Sequence, residues 1–324
     1  MERKYVDMCM ECVRMISMNS TVIEKLNESV NDNAFYMKRD DLLPFSFGGN
    51  KARKALKFKE DIIEKKSDTI VTYGSSASNH CRVIANMAKL LGIKCYIVSP
   101  IENYKKTYNS QMIEMFEATI IKVALHDVSY TIDDLLEKLK LGGKNAYFIP
   151  GGGHGNLGTK AYVEAYQEIK KYENKKNIKF DYIFFASGTG TTQAGLVCGQ
   201  YLNKDFSKKL VGISIARSEE KGRKIIIDSI KEYLNKDENN FANLVEFVDK
   251  YTSDGYGKSN QEILKTIKNV LFNNGIPLNS TYTGKAYYGM LDYIKSKDIN
   301  NKNILFINTG GLPLFFDDME ELVK

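Results

Sequence analysis

The chain alternates short apolar β-rich segments with segments of helical periodicity, and this alternation constrains the fold more than any other feature. Seven apolar runs predict strands. They are Thr69–Tyr73, Lys94–Ser99, Thr119–Val123, Ala146–Pro150, Tyr182–Ala186, Leu210–Ile215 and Asn303–Asn308. Between them, apolar residues recur at helical spacing, as in Val83, Met87, Leu90 and Leu91. Because such repeats fold into mainly parallel sheets with right-handed crossovers, the sequence predicts an α/β protein.

Length and composition limit the domain count and the class of partner. The 324 residues exceed a typical domain of ~150 residues and predict two domains or one large unit. The net charge of +6 is scattered among acids, without a dense basic stripe, so no nucleic-acid partner is expected. No apolar run approaches the ~20 residues of a membrane span. The polar N-terminus shows no signal peptide, so a cytoplasmic location with reduced cysteines is expected.

Four polar, glycine-rich loops follow predicted strands. They are Gly74–His80, Gly151–Gly158, Ser187–Thr192 and Thr309–Leu312. In parallel sheets, ligands bind at the carboxyl ends of the strands, where these loops begin. Glycine lets the backbone approach a ligand closely, and the N–H groups of a following helix start bind anions. The loops therefore predict a binding pocket.

The loop Ser187–Thr192 has the composition of a phosphate site. Its small residues predict a nest of N–H donors, to which one serine and three threonine hydroxyls are added. Glycines at 188, 190 and 195 do not match the G-x-G-x-x-G spacing, which favours a single phosphate over a pyrophosphate. An ordinary tight turn is the alternative.

The segment Gly48–Lys54 combines two glycines with three cations within four residues. One interpretation is a turn followed by an exposed basic helix. The other is a lysine held in the pocket, where burial and neighbouring cations lower its pKa and free its amine as a nucleophile.

Three further motifs carry weaker signals. Gly153–Lys160 has glycines at P-loop spacing, but threonine precedes lysine, so a structural or substrate-lining loop is predicted. Cys9 and Cys12 form a C-x-x-C without a second pair, and no metal site is predicted. Ser78, at the start of the predicted helix Cys81–Leu91, suits either an N-cap or a substrate contact.

Seven segments together resemble pyridoxal-phosphate (PLP) enzymes of the tryptophan synthase β-like fold, and the most similar branch is D-cysteine desulfhydrase and 1-aminocyclopropane-1-carboxylate (ACC) deaminase. In family order they are Lys38–Leu42, Gly48–Lys54, Ser78–Arg82, Ser187–Thr192, Gly255–Gly257, Tyr282–Lys285 and Thr309–Gly311. The resemblance implies two domains with mainly parallel twisted sheets flanked by helices. Residues 1–60 and 167–324 would form the large PLP-binding domain, and residues 61–166 a small inserted domain. It also implies an active site in the cleft between them and a homodimer.

The resemblance assigns cofactor roles to particular residues. Lys51 would form the Schiff base, Asn79 would hydrogen-bond the ring hydroxyl, and Thr309 would meet the pyridine nitrogen. The implied phosphate ligands are Gly188, Thr189, Gly190, Thr191 and Thr192, with Lys54 as a further candidate. A neutral hydroxyl at the ring nitrogen makes the cofactor a weaker electron sink, which suits prompt expulsion of a leaving group.

The resemblance also implies the substrate contacts. Ser78, with Asn79 and His80, would bind the substrate. Tyr256 and Tyr282 would flank it, and either could act as acid or base. Lys51, Ser78, Tyr256 and Tyr282 are therefore the predicted catalytic residues, and the predicted substrate is a small amino acid.

Two positions separate the branch activities. ACC deaminases carry glutamate where this chain has Thr283, and glutamine where it has His80. Both differences favour desulfhydrase-like β-elimination, which releases pyruvate, ammonia and sulfide from cysteine. Ala77 departs from the family's glutamine and leaves the substrate and its stereochemistry open. The alternatives are ACC deaminase, another PLP-dependent deaminase, racemase or β-replacement enzyme, and a non-catalytic phosphate-binding module.

Overall fold

A computed structural model describes residues 20–102, 105–238, 240–252, 255 and 257–324. They form two compact units. The small unit contains residues 44–46 and 51–154, and the large unit contains the described residues of 20–43, 47–50 and 155–324. The boundaries predicted at 61 and 166 fall inside helices, at Gly49–Glu64 and Asn156–Lys176, so the compact units divide at other residues. The assignment of these units as functional domains stays a prediction.

The described residues contain ten strands and twelve α-helices. The strands are β1 Ile23–Lys25, β2 Ala34–Arg39, β3 Thr69–Tyr73, β4 Lys94–Pro100, β5 Thr119–Val123, β6 Ala146–Ile149, β7 Tyr182–Ser187, β8 Lys209–Ser214, β9 Glu246–Val248 and β10 Asn303–Asn308. The helices are α1 Gly49–Glu64, α2 Asn79–Leu91, α3 Tyr108–Met115, α4 Val128–Leu141, α5 Asn156–Lys176, α6 Thr191–Leu202, α7 Glu219–Leu234, α8 Phe241–Leu244, α9 Gln261–Asn274, α10 Thr283–Ser296, α11 Leu312–Asp317 and α12 Met319–Leu322.

The small unit is built on a four-stranded sheet in the order β5–β4–β3–β6. All its pairings are parallel, and Thr69 of β3 lies between Lys94 and Ala146 in the register. Val71 and Val98 pack against Val128 and Ile132 of α4. Because the strands are parallel, the loops after β3 and β6 leave the same edge of the sheet.

The large unit is built on a six-stranded sheet in the order β1–β2–β10–β7–β8–β9. Its pairings are parallel except that of β1 with β2. The adjacent residues Phe184 and Phe185 of β7 point to opposite faces of the sheet, and both are fully buried in the cores on those faces. Burial on both faces explains why these strands are continuous apolar runs.

The predicted α/β class, with mainly parallel sheets flanked by helices, is confirmed. The predicted strands appear within a residue or so of their expected ends, whereas β1, β2 and β9 were not predicted. Within the described ranges, no helix combines the length and apolarity needed to cross a membrane.

Candidate active site

The loop between β7 and α6 in the large unit is shaped by close packing. Gly190 has a φ of +88°, and a methyl group added there would lie 2.9 Å from Ile226 Cγ1. Both constraints require glycine. The Ser187 hydroxyl, counted in the sequence as a phosphate donor, instead donates to Gln193 Oε1 at 3.0 Å. Ser187 is the last residue of β7 and is buried, so the donors of this loop begin after it.

The start of α6 offers donors to an anion. The first turn of a helix leaves backbone N–H groups without intrahelical partners, and here the helical bonds begin with Ala194 N–H to the Gly190 carbonyl at 2.9 Å. Thr191 Oγ1 is buried and has no hydrogen-bond partner among the described residues. A buried hydroxyl without a partner, beside free N–H groups, fits a phosphate oxygen.

Gln193 fixes this loop to the sheet, and the sequence analysis missed it. Its Nε2 donates to the Glu246 carbonyl at 2.7 Å, and its Oε1 accepts from Ser187. A methyl group added at Gly212 of β8 would overlap the Gln193 amide. A glycine inside the predicted strand Leu210–Ile215 was the available signal, since such a residue often marks a close approach.

Two glycine turns meet in the large unit. A methyl group at Gly49 would lie 2.6 Å from the Thr309 carbonyl oxygen, and one at Gly310 would lie 2.6 Å from Gly49 Cα. Asn50 then joins two predicted loops, because its N–H donates to the Thr309 carbonyl at 3.0 Å and its Nδ2 to Thr192 Oγ1 at 3.2 Å. Lys51 is the next residue, so its backbone lies one peptide unit from this junction.

Asn279 connects a third predicted segment to the same junction. Its Nδ2 donates to Thr283 Oγ1 and to the Gly310 carbonyl, both at 3.0 Å. Its Oδ1 accepts from the Tyr282 N–H at 2.8 Å. The structure thus brings together Thr192, Thr309 and Tyr282, which the sequence placed on separate loops. Asn279 itself was not predicted.

Lys285, the last residue of the Tyr282–Lys285 motif, hydrogen-bonds backbone carbonyls inside the large unit. Its Nζ donates to the Thr252 carbonyl at 2.8 Å, and the side chain is fully buried. Burial lowers the pKa of Lys285 to about 8.

Tyr256, predicted to flank the substrate, lies outside the described residues, as do Cys9 and Cys12, and their roles stay predictions.

Two lysine amines occupy the small unit beneath the turn after β6. Lys51 Nζ donates to the Gly152 carbonyl at 3.1 Å, and burial lowers the pKa of Lys51 to about 8. Lys54 is 1% exposed, and its Nζ has no hydrogen-bond partner among the described residues. Burial, and then the charge of Lys51, hold the pKa of Lys54 well below the usual lysine range. A neutral amine at Lys51 is a nucleophile near physiological pH, as the second interpretation of this segment expects.

The lowered pKa of Lys51 predicts how cofactor capture depends on pH. A protonated amine has no lone pair, so capture of an aldehyde cofactor requires the neutral form. We expect the capture rate of the cofactor-free protein to rise about tenfold per pH unit below about 8 and to level above it. Stopped-flow absorption measures the rate, with N-acetyl-lysine amide as the control. A rise that continued to pH 10 would show an ordinary lysine.

Ser78 caps α2, and Asn79 and His80 are the first two residues of that helix. Ser78 Oγ accepts from the Cys81 N–H at 3.3 Å, which is the N-cap contact that the sequence allowed. His80 Nε2 lies 2.8 Å from Thr72 Oγ1, whose own proton goes to the Ile149 carbonyl, so the ring donates through Nε2. Burial, and then the charges of the two lysines, lower the pKa of His80 well below its usual range. The structure therefore places a neutral His80 against β3, and its contact with a substrate stays a prediction.

The donors of the large unit suit a phosphate, and the neutral amine of Lys51 in the small unit suits an aldehyde. A lysine enzyme that takes a phosphorylated aldehyde as its cofactor would need both kinds of group. Residues 20–310 match the family model described as pyridoxal-phosphate dependent enzyme, and the chain belongs to this family. The predicted cofactor and enzyme class are thereby confirmed, as is the resemblance.

Similar proteins place the chain within one branch of the family. It is 33% identical to a D-cysteine desulfhydrase of Serratia proteamaculans over 316 residues, covering 92% of this chain and 93% of the relative. It is 33% identical to a putative ACC deaminase of Pyrococcus abyssi, with 89% and 88% of the two chains covered. The crystal structure of an ACC deaminase homologue matches with a TM-score of 0.82 and 31% identity, covering 94% of this chain and 93% of that one.

Proposed function

We propose that this PLP-dependent lyase catalyses β-elimination on a small amino acid, as a D-cysteine desulfhydrase does, and releases pyruvate, ammonia and sulfide from cysteine. The observation that carries the proposal is the Lys51 amine, whose pKa is lowered to about 8. The preceding residue, Asn50, contacts both the phosphate-type loop at Thr192 and the loop at Thr309. A nucleophilic lysine is thereby linked through the chain to donors for a phosphate.

The residues would share the work as follows. Bound pyridoxal phosphate supplies an electron sink for the bonds at Cα of an amino acid. Lys51 would hold the cofactor and then move the Cα proton of the substrate. Asn79 would donate to the ring oxygen and Ser78 would bind the substrate carboxylate. The phosphate would be held by Gly188–Thr192, with Lys54 as its cation.

Neutral hydroxyls favour elimination over the deaminase reaction. Thr283 is fully buried, and its Oγ1 accepts from both the backbone N–H and the Nδ2 of Asn279. Thr309, proposed for the ring nitrogen, is also uncharged and is 6% exposed. With hydroxyls instead of carboxylates at these two positions, the ring nitrogen of bound PLP would not be held protonated by them, and loss of a leaving group from Cβ would suit the weaker electron sink.

A substrate panel tests the proposed function. We expect sulfide and pyruvate from D-cysteine when D- and L-cysteine, D-serine, β-chloroalanine and ACC are compared. The second candidate, ACC deaminase, is favoured by the relative from Pyrococcus abyssi and by the ACC deaminase homologue. 2-Oxobutanoate from ACC, without sulfide from cysteine, would establish that candidate. A purified protein that stayed colourless with PLP would instead support a non-catalytic phosphate-binding module.

Lys54→Met is expected to stabilise the cofactor-free protein and to weaken cofactor binding. A buried amine without a partner lowers folding stability by about 1–3 kcal/mol. Methionine fills a similar volume and has no amine. Because the pKa of Lys54 is lowered on folding, the gain should be largest at low pH and shrink as the pH approaches the ordinary lysine pKa. Urea unfolding across pH and PLP titration measure the two effects. Unchanged PLP affinity would remove Lys54 from the phosphate site.

Two further properties belong to the proposal. The resemblance implies a homodimer, and the sequence suggests a cytoplasmic location. Light scattering of the purified chain measures its mass against the 36.8 kDa of one copy.

A further inference from the structure

We propose that Asn109 is a positioning residue which, with Arg82, orients the carboxamide of Asn79 so that its Nδ2 group donates to the cofactor's ring oxygen. The inference rests on the proposed function, because it takes Asn79 as the partner of that oxygen. All three residues belong to the small unit. Neither the motifs nor the spacing in the sequence pointed to Asn109.

Asn109 lies in the first turn of α3 and is fully buried. Its Oδ1 accepts from Arg82 Nε at 2.8 Å. Its Nδ2 donates to the Ala77 carbonyl and to Asn79 Oδ1, both at 2.9 Å. Every strong hydrogen-bonding direction of the Nδ2 group is therefore used, since an amide nitrogen carries two protons.

The chemistry of the partners fixes the direction of these bonds. A guanidinium group only donates, and a backbone carbonyl only accepts, so Arg82 and Ala77 together determine which end of the Asn109 amide is oxygen. The Asn109 nitrogen then faces Asn79, so Asn79 must accept this hydrogen bond through its oxygen. The Nδ2 of Asn79 makes no hydrogen bond within the described part of the chain and is left as a donor.

Arg82 places a positive charge at the far end of this row of hydrogen bonds. It is 1% exposed, and its Nη1 donates to the backbone carbonyl and the hydroxyl of Ser46. Burial lowers the pKa of Arg82 to about 10, which leaves it charged at neutral pH. Hydrogen bonds in a row polarise one another, so the charge strengthens donation by Asn79 and favours an ionised oxygen at its end.

The start of α3 is hydrogen-bonded to the loop that immediately precedes Asn79. Thr107 Oγ1 donates to the Ser76 carbonyl at 3.3 Å, and Ser76 Oγ donates to the Lys105 carbonyl at 2.9 Å. Ala77 contributes through its carbonyl, so the side chain at that position does not affect the row. Asn109 therefore keeps its register with Asn79 even though this chain departs from the family's glutamine.

Asn109→Asp and Asn109→Ala test the inference in the PLP-bound protein. The carboxylate of Asn109→Asp still accepts from Arg82 but cannot donate, so Asn79 would turn its nitrogen inward and its oxygen toward the cofactor. Asn109→Ala leaves the Asn79 amide unfixed. Ser110→Ala, which removes half of the α3 capping box and none of the row, is the matched control.

The readout is the fraction of bound cofactor in its long-wavelength visible form, which has an ionised ring oxygen, at fixed pH. We expect a fall of about tenfold in Asn109→Asp, a smaller fall in Asn109→Ala and none in Ser110→Ala. If Asn109 has a purely structural role, the loss of the long-wavelength form should instead follow the fall in unfolding temperature and be largest in Asn109→Ala. Equal spectra in all variants would overturn the inference, and if Asn109→Asp does not fold, Asn109→Ala against Ser110→Ala decides.

The spectrum of the wild-type protein distinguishes a failure of this inference from a failure of the proposed function. If wild type with PLP shows no visible band that borohydride fixes on Lys51, the proposed function fails. If wild type shows the band and the Asn109 variants match it, only the positioning role fails.

Discussion

Lys51→Ala is expected to abolish keto-acid formation, with a loss of at least about a thousandfold in kcat. The variant removes the one amine that the proposal uses twice, for holding the cofactor and for moving the Cα proton. Borohydride treatment of the PLP-bound wild type should fix the cofactor on the peptide that contains Lys51, and the variant should show no such adduct. Mass spectrometry of the digested protein and a keto-acid assay measure the two outcomes.

Lys175→Ala is the control for this variant. Lys175 is exposed on α5, so its removal tests for general effects of losing a lysine and should leave activity unchanged. An external amine such as ethylamine should restore part of the activity of Lys51→Ala if the missing group is a proton carrier. A variant that retained the borohydride-reducible band at full strength would disprove the assignment of Lys51.

Gly49→Ala is expected to destabilise the protein by about 2–4 kcal/mol and to reduce activity about a hundredfold. The added methyl group would lie 2.6 Å from the Thr309 carbonyl oxygen and 3.2 Å from Gly310 Cα. Both contacts are with backbone, which yields only by moving the whole loop. Because Lys51 lies two residues further along, the shift would displace its amine. Denaturant unfolding, PLP affinity and kcat measure the effects.

Gly275→Ala is the control that separates the steric overlap at Gly49 from the cost of a left-handed backbone conformation. Gly275 ends α9 with a φ of +68°, and a methyl group added there meets nothing within 4 Å, whereas Gly49 has a φ of +89°. Both variants carry the ~1 kcal/mol cost of a left-handed alanine, and only Gly49→Ala carries the collision. If the two variants lost equal stability and activity, the contact between the glycine turns would have no importance for the site.

Local sequence signals were sufficient for the strands that have apolar residues at successive central positions. Asn303–Asn308 and Thr69–Tyr73 have the predicted bounds, because strands buried on both faces need apolar side chains at successive positions. β2 lacks this signal, since Lys38 is fully buried within it and paired with Glu168 and Asp40. A lysine whose closest carboxylate, that of Glu168, comes from 130 residues further along the chain looks like a surface residue in sequence. β1 and β9 have only three residues each.

The candidate site was predictable where the chemistry is concentrated in one loop. The phosphate-type loop and the segment with Lys51 carried local patterns of glycine, hydroxyls and cations. Asn279 and Asn109 carried none, because a single asparagine becomes informative only through partners elsewhere in the fold. For Asn279 that partner is Gly310, and for Asn109 it is Asn79, 30 residues away. Residues that position others are missed for this physical reason.

The buried amine of Lys54 has a consequence for the lifetime of the protein in a cell. While its Nζ lacks a partner among the described residues, the cofactor-free chain carries a buried polar group that these residues do not satisfy. A ligand at 100 times its Kd adds about 2.7 kcal/mol to folding stability, which lowers the share of open molecules about a hundredfold. Chains without cofactor would therefore be degraded faster by proteases than PLP-bound chains, so the supply of PLP would affect the abundance of the enzyme as well as its activity.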